Sequence, residues 1–171
     1  MRSIYKIVVC SLLTLSITSC EKDLLEKEQY QKEIYLIGAY NRVWTTEVSY
    51  SNEEVKTYFT VSSSGTLALD RDVNVKMKIN EELVDIYNRK YWTVLNEDKY
   101  YKSLDTDLYS IPSLENTVIK HAEGISAEVP VLIKTASLKI DQSYVIPVEI
   151  ESTTGYPIST SGCKMLVLLK L

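Results

Sequence analysis

Apolar and polar residues alternate through much of the chain beyond residue 30. The stretch "VNVKMKIN" (73–80) alternates without a break, and Ala127, Val129, Val131 and Ile133 are apolar at every second position of a later segment. A period of two buries one set of side chains and leaves the other in water, which is typical of strands in an antiparallel sheet. The pattern therefore predicts a protein built mainly of such strands.

Further strands are predicted by the same period and by frequent aromatic and β-branched residues. They are "YQKEIYLIGAY" (30–40), "RVWTTEVSY" (42–50), "VKTYFTVSS" (55–63), "NTVIKH" (116–121), "YVIPVEIE" (144–151) and "CKMLVLLKL" (163–171). The last segment is apolar on one face at Met165, Val167, Leu169 and Leu171, and on the other at Leu166 and Leu168. Both of its faces are therefore candidates for burial or for docking another protein.

A change of period at Asn80 predicts one helix, over about residues 81–91. Asn80 is a favourable capping residue, and the acidic residues after it suit the positive end of the helix dipole. Apolar residues then recur at spacings of three and four, on a face formed by Leu83, Ile86, Tyr87 and Tyr91. Residues 92–115 predict an irregular connection.

Short strands, turn signals and one inserted helix favour a mostly β fold, an immunoglobulin-like β-sandwich with a short helix at about 81–91. Pro130 and Pro147 fall at outward positions of two predicted strands. Because proline has no N–H for a sheet hydrogen bond, each is expected at a sheet edge or a bulge.

The first 20 residues, "MRSIYKIVVCSLLTLSITSC", predict an export signal. Arg2 and Lys6 precede an apolar run from Ile7 to Leu15, which is nine residues long. That run is shorter than the roughly 20 residues needed to span a bilayer, and it fits a cleaved signal. Small residues before Cys20 resemble a bacterial lipobox, so Cys20 is the expected lipid attachment site. The alternatives are an ordinary signal peptide with a chance cysteine, or a buried N-terminal strand.

This reading divides the chain into a signal peptide (1–19), a tether (20–29) and a single β-sandwich domain (30–171). The signal holds two of the 19 basic residues, so the remainder has 17 basic against 23 acidic residues, a net charge of −6. Mild acidity disfavours nucleic acid as a partner. Cys163 is then the one cysteine left, and its apolar surroundings predict a small buried hydrophobe.

Three segments resemble one known family. "RDVNVKMKINEELVDIYNRKY" (71–91), "NTVIKHAEGISAEVPVLIKT" (116–135) and "IDQSYVIPVEIESTTGYPIS" (140–159) are similar to the domain-of-unknown-function family 1735. The shared features are an "Asp-Val-x-Val" strand, a "Leu-Val-x-x-Tyr-Asn" helix, an "Ile-x-x-Gly" turn (one residue longer here) and a "Tyr-x-x-Pro-Val-x-Ile" strand.

The resemblance implies an immunoglobulin-like sandwich on an exported Bacteroides-type lipoprotein of a polysaccharide-utilisation system. It also implies an outer-membrane location, and charged residues directly after Cys20 resemble signals for the cell surface rather than the periplasmic face. Many relatives continue into a second, lectin-like domain, whereas this sequence ends at Leu171.

The sequence contains no nucleophile elbow and no zinc-ligand motif, although its many carboxylates leave open a glycosidase pair, which would need two of them facing each other across a cleft. His121 is the single histidine, and no "GxSxG" elbow accompanies it. One histidine and one available cysteine are too few for a zinc site built of His and Cys ligands. We therefore expect no enzyme activity, no cofactor and no metal, and a solvated or hydrogen-bonded His121.

Aromatic residues provide the candidate binding site. The chain has 13 Tyr and two Trp against one Phe, and the segment 89–109 concentrates five of the rings: Tyr91, Trp92, Tyr100, Tyr101 and Tyr109. Flat rings can stack on the C–H faces of sugars, which suggests a ligand platform. The alternative is that these rings cap one end of the sandwich and cover the helix.

Together these features predict a lipid-anchored, non-enzymatic module outside the cytoplasm. It would bind a glycan or an outer-membrane protein of a glycan-uptake complex. The alternative is a structural or adhesin-like spacer that docks another protein or domain.

The variant Cys20→Ala is expected to release the protein from membranes, because it removes the thiol that accepts the lipid. Membrane fractionation of cells expressing each form tests this, with the wild type as the membrane-bound reference. Full retention of the variant in the membrane fraction would show that lipid is not the tether.

Overall fold

The computed structural model describes Glu28 and residues 30–171. The predicted signal peptide, Cys20 and most of the tether lie outside the described residues, so those predictions stand untested. Within the described part, no helix is long and apolar enough to cross a membrane.

Strands form most of the regular structure, as the alternating pattern predicts. They are β1 (Ile34–Leu36), β2 (Val43–Glu47), β3 (Glu54–Ser63), β4 (Val73–Ile79), β5 (Lys102–Ser103), β6 (Tyr109–Ser110), β7 (Thr117–Ile119), β8 (Ser126–Lys134), β9 (Tyr144–Thr153) and β10 (Lys164–Lys170). One α-helix, α1 (Glu82–Tyr91), follows β4. The region predicted as irregular, 92–115, contains two 3-10 turns and the short strands β5 and β6.

The strands form two sheets. The first has the order β1-β3-β8-β6 and is antiparallel throughout. The second has the order β2-β10-β9-β4-β7, and β5 also pairs with β9. In the second sheet β2 runs parallel to β10, and β5 runs parallel to β9. The fold is therefore the mostly β sandwich that the sequence predicts.

The core lies between the two sheets and follows the period of two. In β8, Val129, Val131 and Ile133 are fully buried, and in β4, Val73 and Val75 are fully buried. Phe59 of β3 and Val167 of β10 belong to the same cluster, which joins both sheets. The predicted inward faces of β4, β8 and β10 are thus confirmed.

A second, smaller apolar cluster lies on the other side of the second sheet, beneath α1. Val84 of the helix packs with Val145 of β9 and Leu166 of β10. Because Leu166 is only 2% exposed, the outer face of β10 is covered by the chain itself. Of the two possibilities for this face, burial is confirmed at Leu166, and an exposed Leu166/Leu168 docking patch is therefore wrong for Leu166.

The start of α1 confirms the role expected for Asn80. Its side-chain oxygen accepts a hydrogen bond from the Glu82 N–H at 3.2 Å, and its carbonyl accepts one from the Leu83 N–H at 3.1 Å. The predicted apolar face, however, was wrong in its orientation. Val84 and Asn88 are the buried helix residues, because both face the sheet and the connection to β5.

Two members of that predicted face are exposed instead. Ile86 is 52% exposed and Tyr91 is 48% exposed. Leu83 and Tyr87 are half-buried at the flanks of the helix. The helix is thus rotated so that a polar residue, Asn88, takes a buried position that the sequence pattern assigns to apolar ones.

The expectation that Pro147 lies at an edge or a bulge is also wrong. Pro147 is buried in β9, an inner strand, opposite Leu166 of β10. Since the Leu166 N–H donates to Arg42, this pair exchanges no hydrogen bond, and the proline nitrogen faces the other side. On that side, Asn80 donates its N–H to the Pro147 carbonyl at 3.0 Å. The Asn80 carbonyl accepts from the Leu83 N–H in the first turn of α1, so it needs no donor from Pro147.

Pro130 likewise lies within an inner strand, opposite Tyr58 of β3. The neighbour on its other side, β6, pairs only with Leu132 and Ile133 of β8. No sheet hydrogen bond from β6 therefore reaches Pro130, which explains how a proline is tolerated there.

Leu166→Ala is expected to lower the free energy of unfolding by about 3 kcal/mol, because it opens a cavity between α1 and the sheet. Leu168→Ala, the matched control on the same face, is expected to cost about 1 kcal/mol, because Leu168 is half-buried. Urea denaturation measures both. Equal effects would show that α1 does not cover Leu166 in solution.

Candidate functional site

A groove with a volume of about 290 Å³ lies beside α1. Three parts of the chain line it: the helix, the turn between β1 and β2, and the start of β10 with the residues before it. The lining residues are Ala39, Tyr40, Arg42, Leu83, Ile86, Tyr87, Thr160, Ser161, Cys163, Lys164, Met165 and Leu166.

The turn between β1 and β2 is left-handed at both ends. Gly38 has a φ of 88° and Arg42 has a φ of 63°, with the short 3-10 helix Ala39–Asn41 between them. A Cβ at Gly38 would come within 2.7 Å of the Trp44 ring. Only glycine therefore suits position 38, on grounds of both space and backbone conformation.

Arg42 is unusual because it adopts a positive φ without being glycine. Two hydrogen bonds hold it: its N–H donates to the Ala39 carbonyl, and its own carbonyl accepts from the Leu166 N–H, both at 2.8 Å. The second bond ties the turn to β10. As a result the turn is anchored at its base while the Tyr40 side chain is 90% exposed.

Polar side chains line the side of the groove nearest β10. Thr160 and Ser161 contribute hydroxyls, and Lys164 contributes an ammonium group. The Lys164 Nζ lies 3.3 Å from the Glu149 carboxylate. Burial opposes ionisation of Glu149, but hydrogen bonds from Asn80 and Lys164 outweigh it and lower its pKa.

Cys163 also lines the groove, which corrects the prediction of a buried hydrophobe. It is half-buried, packs against the main core and places its Sγ 3.8 Å from the Thr160 carbonyl. It directly precedes β10, so only part of its surface is covered by the two sheets.

A stack of tyrosines extends from the groove. The Tyr87 ring lies 4.4 Å from that of Tyr91 and 5.2 Å from that of Tyr101, measured between centroids, and is nearly parallel to Tyr101 at 12°. Asn88 fixes this arrangement: its amide donates to the Tyr101 carbonyl at 2.9 Å and accepts from the Tyr101 N–H at 3.0 Å. Two of the five predicted platform residues, Tyr91 and Tyr101, thus lie together because both contact Tyr87, which is not one of the five.

The other three predicted residues are placed differently. The Trp92 ring lies under the Lys99 ammonium at 5.7 Å, and its indole N–H is buried without a hydrogen-bond partner in the described part of the chain. Tyr100 is half-buried. Tyr109 belongs to β6, in the other sheet, and packs against the main core. A ligand role for these five residues remains a prediction, and the structure does not bring Tyr109 to the rest.

Burial affects the ionisation of two tyrosines. It raises the pKa of Tyr87 to about 12, with smaller contributions from Tyr101 and Tyr91. It likewise raises the pKa of Tyr109 to about 12, with a smaller contribution from Glu81. Both phenols therefore stay neutral across the physiological range.

His121 lies outside the groove and makes the hydrogen bond expected for it. Its Nδ1 lies 2.6 Å from a carboxylate oxygen of Asp72, which also accepts from the His121 backbone N–H at 3.0 Å. These two bonds lower the pKa of Asp72. Among the described residues, no group of three or more His, Cys, Asp or Glu could hold a metal ion.

Two weak signals for the groove are present in the sequence, although periodicity does not show them. The segment "GAYNR" (38–42) interrupts two strand patterns with a glycine and polar residues, and "STSG" (159–162) does the same before β10. Both are turn signals. Their spatial proximity follows from the pairing of β2 with β10, which no local pattern reveals.

Most of the sandwich lies within one recognised family of domains, whereas half of the residues that line the groove follow the matched segment. A family model described as "-like, N-terminal domain" matches residues 30–157. The chain belongs to this family. A comparison with curated proteins found no match.

Solved structures share the fold of this family member. A presumed carbohydrate binding protein from Bacteroides ovatus aligns with a TM-score of 0.61 and 18% identity, over 81% of this chain and 36% of its own. A multidomain protein from the same species, which includes the domain of unknown function 1735, aligns with a TM-score of 0.58 and 19% identity, over 76% and 40%. EndoBT-3987 from Bacteroides thetaiotaomicron, crystallised with a Man5GlcNAc product, aligns with a TM-score of 0.57 and 18% identity, over 80% and 30%.

At these identities the likeness concerns the fold. The chain spans between 30% and 40% of the length of these three proteins. The resemblance to the family numbered 1735 is supported at this level, through the multidomain protein that includes it.

Tyr87→Phe is expected to reduce the loss of stability at alkaline pH. The pKa of Tyr87 is raised to about 12 in the folded state, against roughly 10 in the unfolded chain. The contribution of this group to stability is therefore complete below pH 10 and is lost as the pH rises through 12. The variant lacks this titration, so its free energy of unfolding should fall less over that window. Urea denaturation at several pH values measures the difference from wild type, and identical pH profiles would contradict it.

Proposed function

We propose that this protein is a lipid-anchored, non-enzymatic module outside the cytoplasm that binds a glycan in the groove beside α1. The observation that carries the proposal is that Tyr40, which is 90% exposed, and Tyr87 line the same groove. Aromatic faces suit the C–H faces of a sugar ring, and the hydroxyls of Thr160 and Ser161 suit its hydroxyl groups.

The composition of the groove favours binding over hydrolysis. Glycoside hydrolysis commonly requires two carboxyl groups, about 5–10 Å apart, across the bound sugar. None of the groove's lining residues, all of which the structure describes, is Asp or Glu. A sugar held there would meet rings, hydroxyls and cations but no carboxyl group from the lining residues.

The names of structural neighbours supply the biological context. One neighbour from Bacteroides ovatus is named as a presumed carbohydrate binding protein, and EndoBT-3987 was crystallised with an oligosaccharide product. We infer a role within a polysaccharide-utilisation system. Attachment through Cys20 and display on the outer membrane, facing the cell exterior, rest on the N-terminal sequence alone.

A second candidate is a spacer that docks another protein or domain. It is favoured by the apolar side chains in the 3-10 turn after α1, where Val94 is 77% exposed and Leu95 is 91% exposed. These side chains have no role in a sugar site. If no glycan binds the protein, this candidate replaces the first.

Tyr40→Ala is expected to weaken glycan binding roughly tenfold or more, because it removes the exposed ring that would stack on the sugar. Binding is measured first on a glycan array with the purified chain, then by calorimetry with the glycans that bind. Tyr50→Ala is the matched control, since Tyr50 is 58% exposed and does not line the groove.

The variant Trp92→Ala distinguishes binding in the groove from binding on the aromatic platform predicted by the sequence. If Trp92→Ala abolishes binding while Tyr40→Ala leaves it unchanged, the site lies on the platform and the groove is wrong. If no glycan on the array binds, the proposed function fails.

A further inference from the structure

The charged side chains that line the groove are all cationic. They are Arg42 and Lys164, and none of the other described lining residues carries a charge. The rest of the molecule has the opposite balance, since acidic residues outnumber basic ones, 23 to 19, in the whole sequence. The groove is therefore a local positive site on an acidic protein, and a positive site attracts an anionic group.

The two cationic side chains differ in whether they already have an ion-pair partner within the protein. The Lys164 ammonium group forms an ion pair with the Glu149 carboxylate at 3.3 Å. Arg42 is exposed, and its guanidinium makes no ion pair or hydrogen bond with any other described residue. Arg42 thus keeps five N–H donors available in a planar fork, the geometry that pairs with a carboxylate or a sulfate through two bonds.

The backbone of Arg42 supplies an independent observation. Its φ of 63° is the one positive value among the described non-glycine residues. Glycine or asparagine would adopt this conformation with less strain. Strained backbone of this kind occurs preferentially at binding sites, and here it places an arginine beside Tyr40 at the end of an anchored turn.

We infer that the groove selects an acidic sugar, one that carries a carboxylate or a sulfate. Arg42 pairs with the anionic group, Lys164 adds a weaker attraction, and Tyr40 stacks on the ring that bears the anion. This inference rests on the proposed function, because it assigns the ligand class of the same groove. The carboxylate of a uronic acid and a sulfate ester present the same chemistry to Arg42, so the experiment must distinguish them.

Calorimetry with the full purified chain tests the inference with two pairs of ligands. The first pair is an oligogalacturonide and its methyl ester, in which neutral COOCH3 groups replace the carboxylates. The second pair is a chondroitin sulfate oligosaccharide and its desulfated form. We expect at least one acidic ligand to bind tenfold or more tightly than its neutral counterpart, and its affinity to fall as salt is raised.

Arg42→Gln should abolish this preference, and Arg42→Lys should restore part of it, because a lysine keeps the charge but loses the fork. Arg89→Gln is the matched control: it removes the same charge from an exposed position on α1 that does not line the groove. A preference retained in Arg42→Gln, or lost equally in Arg89→Gln, would overturn the inference.

The variant Arg42→Gly is a control that distinguishes loss of the side chain from loss of binding through misfolding. Glycine relieves the positive φ, so this variant should melt at or above the wild-type temperature and still lose the preference for acidic ligands. Retention of the preference by a stable Arg42→Gly variant would refute the role of the side chain.

The outcomes separate the two proposals. If neutral sugars bind as well as acidic ones and Tyr40→Ala weakens both, the glycan-binding groove stands and the selection of acidic sugars fails. If neither member of either pair binds and the glycan array is also empty, both proposals fail.

Discussion

Strands β9 and β10 carry apolar side chains on both faces, and the rest of the structure covers most of these side chains. The first sheet covers one face through the main core, which includes Val148 and Val167. Helix α1 covers the other face, above Val145 and Leu166. Burying apolar area on both sides of an inner strand pair supplies much of the driving force for folding, and it fixes the position of the helix that forms one wall of the groove.

Polar contacts then determine how the helix begins and what lies beside it. Asn80 directly follows β4, donates its N–H to the Pro147 carbonyl and accepts from the Leu83 N–H, so one residue links the sheet to the first turn of α1. At the other end, Asn88 pairs with the backbone of Tyr101 in both directions. The buried Asn88 amide is satisfied by backbone groups and the Asn80 amide donates to the Glu149 carboxylate, which gives the helix one orientation rather than several.

The sequence predicts the features that depend on neighbours along the chain. The alternation in β8 and the capping by Asn80 are local signals, and the structure confirms both. The face of α1 could not be predicted, because a buried Asn88 is stable only with the backbone of Tyr101, and no periodicity encodes that contact. The groove was missed for a similar reason: Tyr40 and Thr160 are distant in sequence and meet through the parallel pairing of β2 with β10.

That parallel pairing also determines the geometry of attachment. Both β2 and β10 begin at the groove, beside Arg42 and Lys164, and both run away from it towards Glu47 and Lys170. Over the seven residues of β10, a strand advances roughly 20 Å. A tag, surface linkage or fused protein joined at Leu171 would therefore emerge at the far end of the sheet, and the groove would stay open to solvent in an immobilised sample.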